Sequence, residues 1–178
     1  MKKLLIMLLA ACLMLTPVFT ACAEGTETEF NSEFYTVTLP EGNWYSKAGA
    51  EGLTYFYGTP EPSLDYGMVM CLTQDIDIGG LQVTDAMLSA WYDSMVTGIA
   101  ASAVDGKVEQ EDGQIAGRLS RRFLYDQQVN GMTFRVAGEC VLIDGHIIAI
   151  CYFNSEKNDA ELKETVNRMS ESLVYKGE

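Results

Sequence analysis

The side chains able to carry chemistry are few and scattered. The single histidine, His146, follows a turn signal, Asp144 and Gly145. Nucleophilic catalysis needs a base beside a serine or cysteine and a third group to orient it. Strand alternation sends Cys140 to one face and His146 to the other, so that pair does not form and His146 reads as an exposed turn residue. Cys71, Cys140 and Cys151 with one histidine lack the clustered spacing of a zinc site. Asp75-x-Asp77 before Gly79 and Gly80 resembles part of an oxygen-ligand calcium loop, but the glutamate that an EF-hand needs downstream is missing, with Met87 and Leu88 in that region. No glycine-rich phosphate loop and no basic patch interleaved with aromatics is present. What is left points to binding. Arg121 sits between Arg118 and Arg122, yet alternation turns it onto the apolar face, where an arginine needs a carboxylate or marks a recess. Trp44, Tyr55 and Tyr57, with the proline-bearing loop at residues 60–63, are the aromatics able to rim a binding surface, although core packing accounts for most of them. These four residues are the candidate ligand-binding set; no catalytic residue, metal ligand or cofactor is assigned.

Residues 108–153 must position most of this. They read as four consecutive β-strands separated by Asp112 and Gly113, Asn130 and Gly131, and Asp144 and Gly145. Such dipeptides tolerate the two positive φ angles of a type I′ hairpin turn. A two-residue turn at Asn130 and Gly131 places Asp126 opposite Arg135 and Arg122 opposite Glu139. Each such pair contributes a few tenths to about 1 kcal/mol, and a one-residue slip breaks both together. The other face collects Leu119, Phe123 and Tyr125 against Val136, Gly138, Cys140 and Leu142, continued by Ile147, Ala149, Cys151 and Phe153. Ile148, Ile150 and Tyr152 make the last strand apolar on its second side too, which predicts an interior strand covered on both faces.

Upstream, Tyr35, Val37 and Leu39 alternate with threonines to give a strand that Pro40 and Gly42 end. A second strand spans residues 53–58 and a third spans 66–74, with Met68, Met70 and Leu72 on one side and Val69 and Cys71 on the other. The period then becomes helical. Thr84 is an N-cap candidate before a stripe of Leu88, Trp91, Tyr92, Met95 and Ile99, a helix expected to stop between residues 98 and 105. A closing helix begins at Asn158, with Glu161 as capping-box partner and a stripe of Leu162, Val166, Met169 and Leu173. The expected class is α+β, a single domain with an antiparallel sheet, elements ordered βββαββββα and helices packed on both faces.

The chain has 178 residues and a formal charge of −13. A basic start at Lys2 and Lys3, an apolar run over residues 4–19 and small residues after it describe a secretory signal over residues 1–23. Ala21-Cys22-Ala23 fits cleavage before Glu24, whereas Phe19-Thr20-Ala21-Cys22 is similar to a bacterial lipobox with Cys22 lipidated; both outcomes stay open, with a lean to simple cleavage. Residues 24–33 read as an acidic tether too polar to fold alone, and 34–178 as one domain. Losing residues 1–23 takes the charge from −13 to −15, which repels nucleic acid and anionic membrane and serves solubility outside the cell. A membrane contact is then expected only through lipid on Cys22. Cys140 and Cys151 fall on diagonal positions roughly 7–8 Å apart, beyond ordinary disulfide reach. Cys71 pairs with one of them only if its strand lies alongside; the preferred reading is three buried thiols.

The element order and the entry Tyr35-Thr36-Val37-Thr38-Leu39-Pro40-Glu41-Gly42, followed by Asn43 and Trp44, resemble the PsbP/DcrB-like superfamily, whose bacterial members carry Tyr-x-Val-x-Leu-Pro-x-Gly-Trp. The Asn-Gly hairpin and the closing Ser170-Glu171-Ser172-Leu173 fit the same pattern, which covers residues 34–175. Asn43 is an insertion relative to it. The resemblance implies an antiparallel sheet with helices on both faces and, from relatives such as a photosystem II extrinsic subunit, an envelope lipoprotein and a Ran-binding regulator, a binding or scaffolding role without an active site. The expectation is an exported cell-envelope protein, non-enzymatic, engaging an unknown protein or small ligand. An envelope hydrolase with an unrecognised site is the alternative.

Overall fold

A computed structural model describes residues 28–49, 52–59, 67–129, 131–155 and 158–177. The signal, Cys22, residues 24–27 of the acidic tether, the loop at 60–63 and Asn130 lie outside the described residues. In chain order the elements are β1 (Glu29–Asn31), β2 (Tyr35–Thr38), β3 (Tyr45–Ala48), β4 (Leu53–Tyr57), β5 (Met68–Asp75), α1 (Asp85–Ala100), β6 (Val108–Ile115), β7 (Arg118–Val129), β8 (Met132–Ile143), β9 (His146–Asn154), α2 (Asp159–Ser172) and β10 (Val174–Tyr175).

The predicted meander is present as β6 to β9. Arg122 pairs with Glu139 and Asp126 with Arg135, the expected register. β9 lies between β5 and β8 in a seven-stranded antiparallel sheet ordered β3-β4-β5-β9-β8-β7-β6. Its two apolar sides are both used. Ala149, Cys151 and Phe153 join one core with Leu88, Tyr92, Met95 and Ile99 of α1. Ile148, Ile150 and Tyr152 join the other with Leu162, Val166 and Met169 of α2 and its C-cap Leu173. Helices therefore cover both faces, each capped as its sequence predicts: Thr84 accepts from the Met87 amide and Asn158 from the Glu161 amide. Tyr92 also pins α1 to the sheet. The β7–β8 ladder stops at Ser120 and Val141. The Tyr92 hydroxyl bridges the rung beyond, donating to the Leu119 carbonyl at 3.0 Å and accepting from the Leu142 amide at 3.1 Å.

Four expectations are corrected. Asp112 and Gly113 do not turn; β6 runs through them, and the hairpin closes at Ala116 and Gly117, with φ of 49° and 72°. β2 does not enter the main sheet. It pairs with β1 and β10 in a separate three-stranded sheet, because Tyr35, Val37 and Leu39 pack face-on against the main sheet rather than edge-on. Part of the acidic tether is ordered as β1, held by that pairing and by Phe30 set edge-on to Phe56 with centroids 5.3 Å apart. His146 is not exposed: its side chain is 12% accessible, its Nδ1 lies 2.8 Å from Asp75 Oδ1, and its ring stacks on Phe34 at 4.0 Å. It joins the small sheet to the large one. Among the described residues no helix is long and apolar enough to cross a membrane.

Candidate binding site

The polar face of β6, β7 and β8 is not open. α2 lies across it, and the gap between α2 and the β6 side is a cleft of about 130 Å³. Leu124 and Val166 line it together with Glu109, Glu111, Arg122 and Lys163. Beside Arg122 lies the least ordinary group of the domain, Glu139, whose carboxylate is fully buried. Ser120 Oγ donates to its Oε1 at 2.5 Å and Arg122 Nε donates to its Oε2 at 3.2 Å. Without both partners a carboxylate there would lose its hydration uncompensated.

Space for this triad comes from Gly113. A Cβ at that position would collide with Glu139 Oε1 and lie 2.8 Å from Ser120 Oγ and 2.9 Å from Arg122 Nε. The glycine that signals a turn in the sequence is thus a gap in β6 over a buried carboxylate. Gly113→Ala is expected to lose about 1–3 kcal/mol through this crowding, read as a shift of the urea midpoint. An unchanged midpoint would remove the packing role assigned to Gly113.

Arginine–carboxylate pairs continue along the rim. Arg135 meets Asp126 and Glu109 at 3.2 Å and Asp159 at 2.8 Å, and Lys163 meets Glu109 at 3.2 Å. The bidentate hydrogen bond from Arg135 holds the Asp159 carboxyl below the usual carboxylate range and raises the Arg135 guanidinium in turn. Asp159 also lies in the first turn of α2, where the helix dipole favours a negative charge. This stabilisation is complete at neutral pH and fades as acid protonates Asp159.

On the opposite face Arg121 is buried among apolar neighbours, and it has found carboxylates: Asp93 at 3.0 Å and Asp112 at 3.1 Å, with Gln110 and Ser89 accepting further hydrogen bonds. It clamps α1 to β6 and stands 6.0 Å from the Tyr92 ring. The four candidate ligand residues do not come together. Trp44 is buried, donates to the Pro40 carbonyl at 2.7 Å and packs edge-on against Tyr152 in the α2-side core. Tyr55 and Tyr57 belong to the α1-side core on β4, and Arg121 sits on the α1 face of β7. The calcium-like fragment is otherwise engaged: Asp75 faces His146, and Asp77 accepts from the Gly79 amide at 2.8 Å. Sequence reasoning pairs Arg122 with Glu139 but gives no sign that Glu139 is buried, since α2's position is not written in β7 or β8.

The thiols are placed by register. Cys151 lies across from Gly138 and Met70, and Cys71 from Ile150. Cys71 therefore projects to the opposite face from Cys140 and Cys151, and all three are buried thiols. Burial pushes the Cys71 thiol up to about 12 and raises Cys140 further; burial likewise raises Tyr35 and Tyr92. Each folded value exceeds its unfolded one. The neutral forms thus stabilise the fold fully below the ordinary thiol value of 9.0, and that contribution is lost as pH climbs toward about 12. A thiol reagent at pH 8 is expected to modify Cys71, Cys140 and Cys151 only at the rate of unfolding, and urea midpoints to fall between pH 9 and 12. Fast labelling of the native chain at pH 8 would contradict this burial.

Against solved structures the whole architecture has counterparts. The solution structure of cyanobacterial PsbP (CyanoP) from Synechocystis sp. PCC 6803 superposes with a TM-score of 0.56 at 12% identity, covering 89% of this chain and 95% of that one. The fold is PsbP-like. A Bacteroides thetaiotaomicron VPI-5482 crystal structure matches at a TM-score of 0.55 and 14% identity over 86% of this chain, which spans 50% of the Bacteroides chain. No family model and no curated protein matches the sequence. At these identities the agreement is one of backbone frame. In this chain α2 lies against the β6–β8 side of the sheet and so forms the cleft.

Proposed function

We infer that this chain is an exported, non-enzymatic binding module of the cell envelope that engages a partner instead of transforming a substrate. The observation that carries the reading is where the reactive groups of the described domain go. Arg121 is held by Asp93 and Asp112, Glu139 by Arg122 and Ser120, and His146 by Asp75 and Phe34. Burial keeps the Cys71 and Cys140 thiols protonated, far from the depressed values of catalytic cysteines. These are structural uses. Glu109 and Glu111, with Lys163 beside them, face solvent around the α2 cleft, a surface suited to recognition. Export rests on the leader pattern of residues 1–23, and the binding role is the one the PsbP/DcrB-like resemblance implies. Retention at the membrane through lipid on Cys22 and release by cleavage before Glu24 remain the two routes after export. The test is capture of partners from the native envelope by the exported chain, in parallel with assays on ester and peptide substrates. Recovery of a stoichiometric partner supports the reading. Turnover abolished by one conservative substitution, or no partner above background, overturns it.

A further inference from the structure

We propose that the outer edge of β6 accepts an extended, lysine- or arginine-bearing segment of a partner protein as an eighth strand, with the adjoining α2 cleft receiving one of its side chains. The proposal deepens the binding-module reading and rests on it. β6 ends the seven-stranded sheet, and among the described residues no strand pairs with its outer side. Eight residues long, with Glu109, Gln110, Glu111, Asp112 and Gln114 exposed, it offers a row of backbone donors and acceptors that a new strand can use. The sheet's other end is less available: β3 has four residues, three of them half-buried, and carries Lys47.

Charge selects the occupant. Glu109 and Glu111 project to the α2 face of β6, Asp112 to the α1 face, so a cation on either face of an added strand meets a carboxylate. These side chains already touch arginines or Lys163, yet they remain 59%, 59% and 63% accessible and keep free lone pairs. Within this network the carboxylates of Asp93, Glu109, Glu111, Asp112, Asp126, Glu139 and Asp159 outnumber the cations of Arg121, Arg122, Arg135 and Lys163, seven to four. A second copy of β6 would set like charges opposite one another, which disfavours pairing of this edge with itself. The charges that turn away a second copy attract a basic strand. The cleft, with Leu124 and Val166 on its walls and Glu109 and Glu111 at its rim, suits the aliphatic stem and charged end of a lysine.

The test uses the chain in its exported form and three eight-residue peptides: one alternating lysine and valine, its glutamate counterpart, and the lysine peptide N-methylated at every residue. The lysine peptide is expected to slow amide hydrogen exchange across residues 108–115 and to bind at least tenfold more tightly than either control. The variant carrying Glu109→Lys and Glu111→Lys should reverse the preference for lysine over glutamate; should that variant fail to fold, the peptide comparison on the native chain decides. Equal binding of the N-methylated peptide, or binding without protection of residues 108–115, overturns the proposal, as does no binding of the lysine peptide at millimolar concentration. An envelope partner captured with residues 108–115 still exchanging freely overturns the edge while leaving the module reading in place.

Discussion

Replacing Arg122 with methionine is expected to destabilise the fold by about 3 kcal/mol, the low end of the 3–5 kcal/mol typical when one member of a buried ion pair is removed. The large effect comes from what stays behind. Glu139 is fully buried, and without Arg122 Nε at 3.2 Å its carboxylate keeps only the Ser120 hydroxyl at 2.5 Å. The low end applies because the Arg122 side chain is 29% accessible, so water from the cleft reaches part of the vacated site. Removing both charges, with Arg122→Met and Glu139→Met together, is expected to cost less than Arg122→Met alone. The buried charge has then gone, and the main remaining debt is an unpaired Ser120 hydroxyl, on the order of 1–3 kcal/mol. Urea unfolding of the wild type, both single variants and the double variant measures the coupling directly. A loss under 1 kcal/mol for Arg122→Met would mean that Glu139 is solvated and the burial argument wrong.

That pair also shows how far the sequence can be read. The turn at Asn130 and Gly131, the alternation of β7 and β8 and two complementary charge pairs all demand one register, and the structure has it. The same reasoning fails eighteen residues upstream. Asp112 and Gly113 carry the stronger local turn signal, while the hairpin closes at Ala116 and Gly117, where Ala116 holds a left-handed φ of 49° that its Cβ disfavours. Tertiary packing decides it. Turning at Asp112 would forfeit the ion pair to Arg121 and the gap over Glu139, both made by residues of β7 and β8. Local propensity contains neither term.

Short elements were hidden for a related reason. β1, β3 and β10 have three, four and two residues. None is long enough to display a period, and Tyr45-Ser46-Lys47-Ala48 has no alternation at all. β1 and β10 exist because β2 offers them an edge on each side, and β2 lies there because Tyr35, Val37 and Leu39 bury against the main sheet. The small sheet is thus a consequence of packing, not of its own sequence. The candidate site was legible only in fragments. For Arg121 the sequence leaves a carboxylate partner and a recess both open; its partners Asp93 and Asp112 come from α1 and β6, and nothing in the sequence matches them. The cleft needs α2 set against β6–β8, a relation reaching 54 positions between Glu109 and Lys163, which periodicity does not encode.

α2 is accordingly where the second large effect is expected. Leu162→Ala should cost about 2–5 kcal/mol, the range for truncating a buried leucine in a core that only partly relaxes. Leu162 is fully buried and belongs to the single stripe, with Val166, Met169 and Leu173, by which α2 holds the sheet. The helix is fixed differently at its two ends. Past Leu173 the chain continues into β10, which pairs with β2. At the N-terminal end the Asn158 cap and the Arg135–Asp159 bond hold it; both are exposed to solvent and worth less than the buried leucine. Truncation should therefore loosen the first three turns before the whole domain unfolds, and amide exchange over residues 159–169 should quicken more than that of β9. Because Lys163 and Val166 line the cleft from this segment, binding at the β6 edge should weaken in the same variant. Lys163→Ala, which removes only exposed contacts, is expected to stay within about 0.5 kcal/mol of wild type and to leave the exchange pattern unchanged. Equal exchange in α2 and β9 after Leu162→Ala would show that the helix and sheet open as one unit, and the cleft would then have no soft wall.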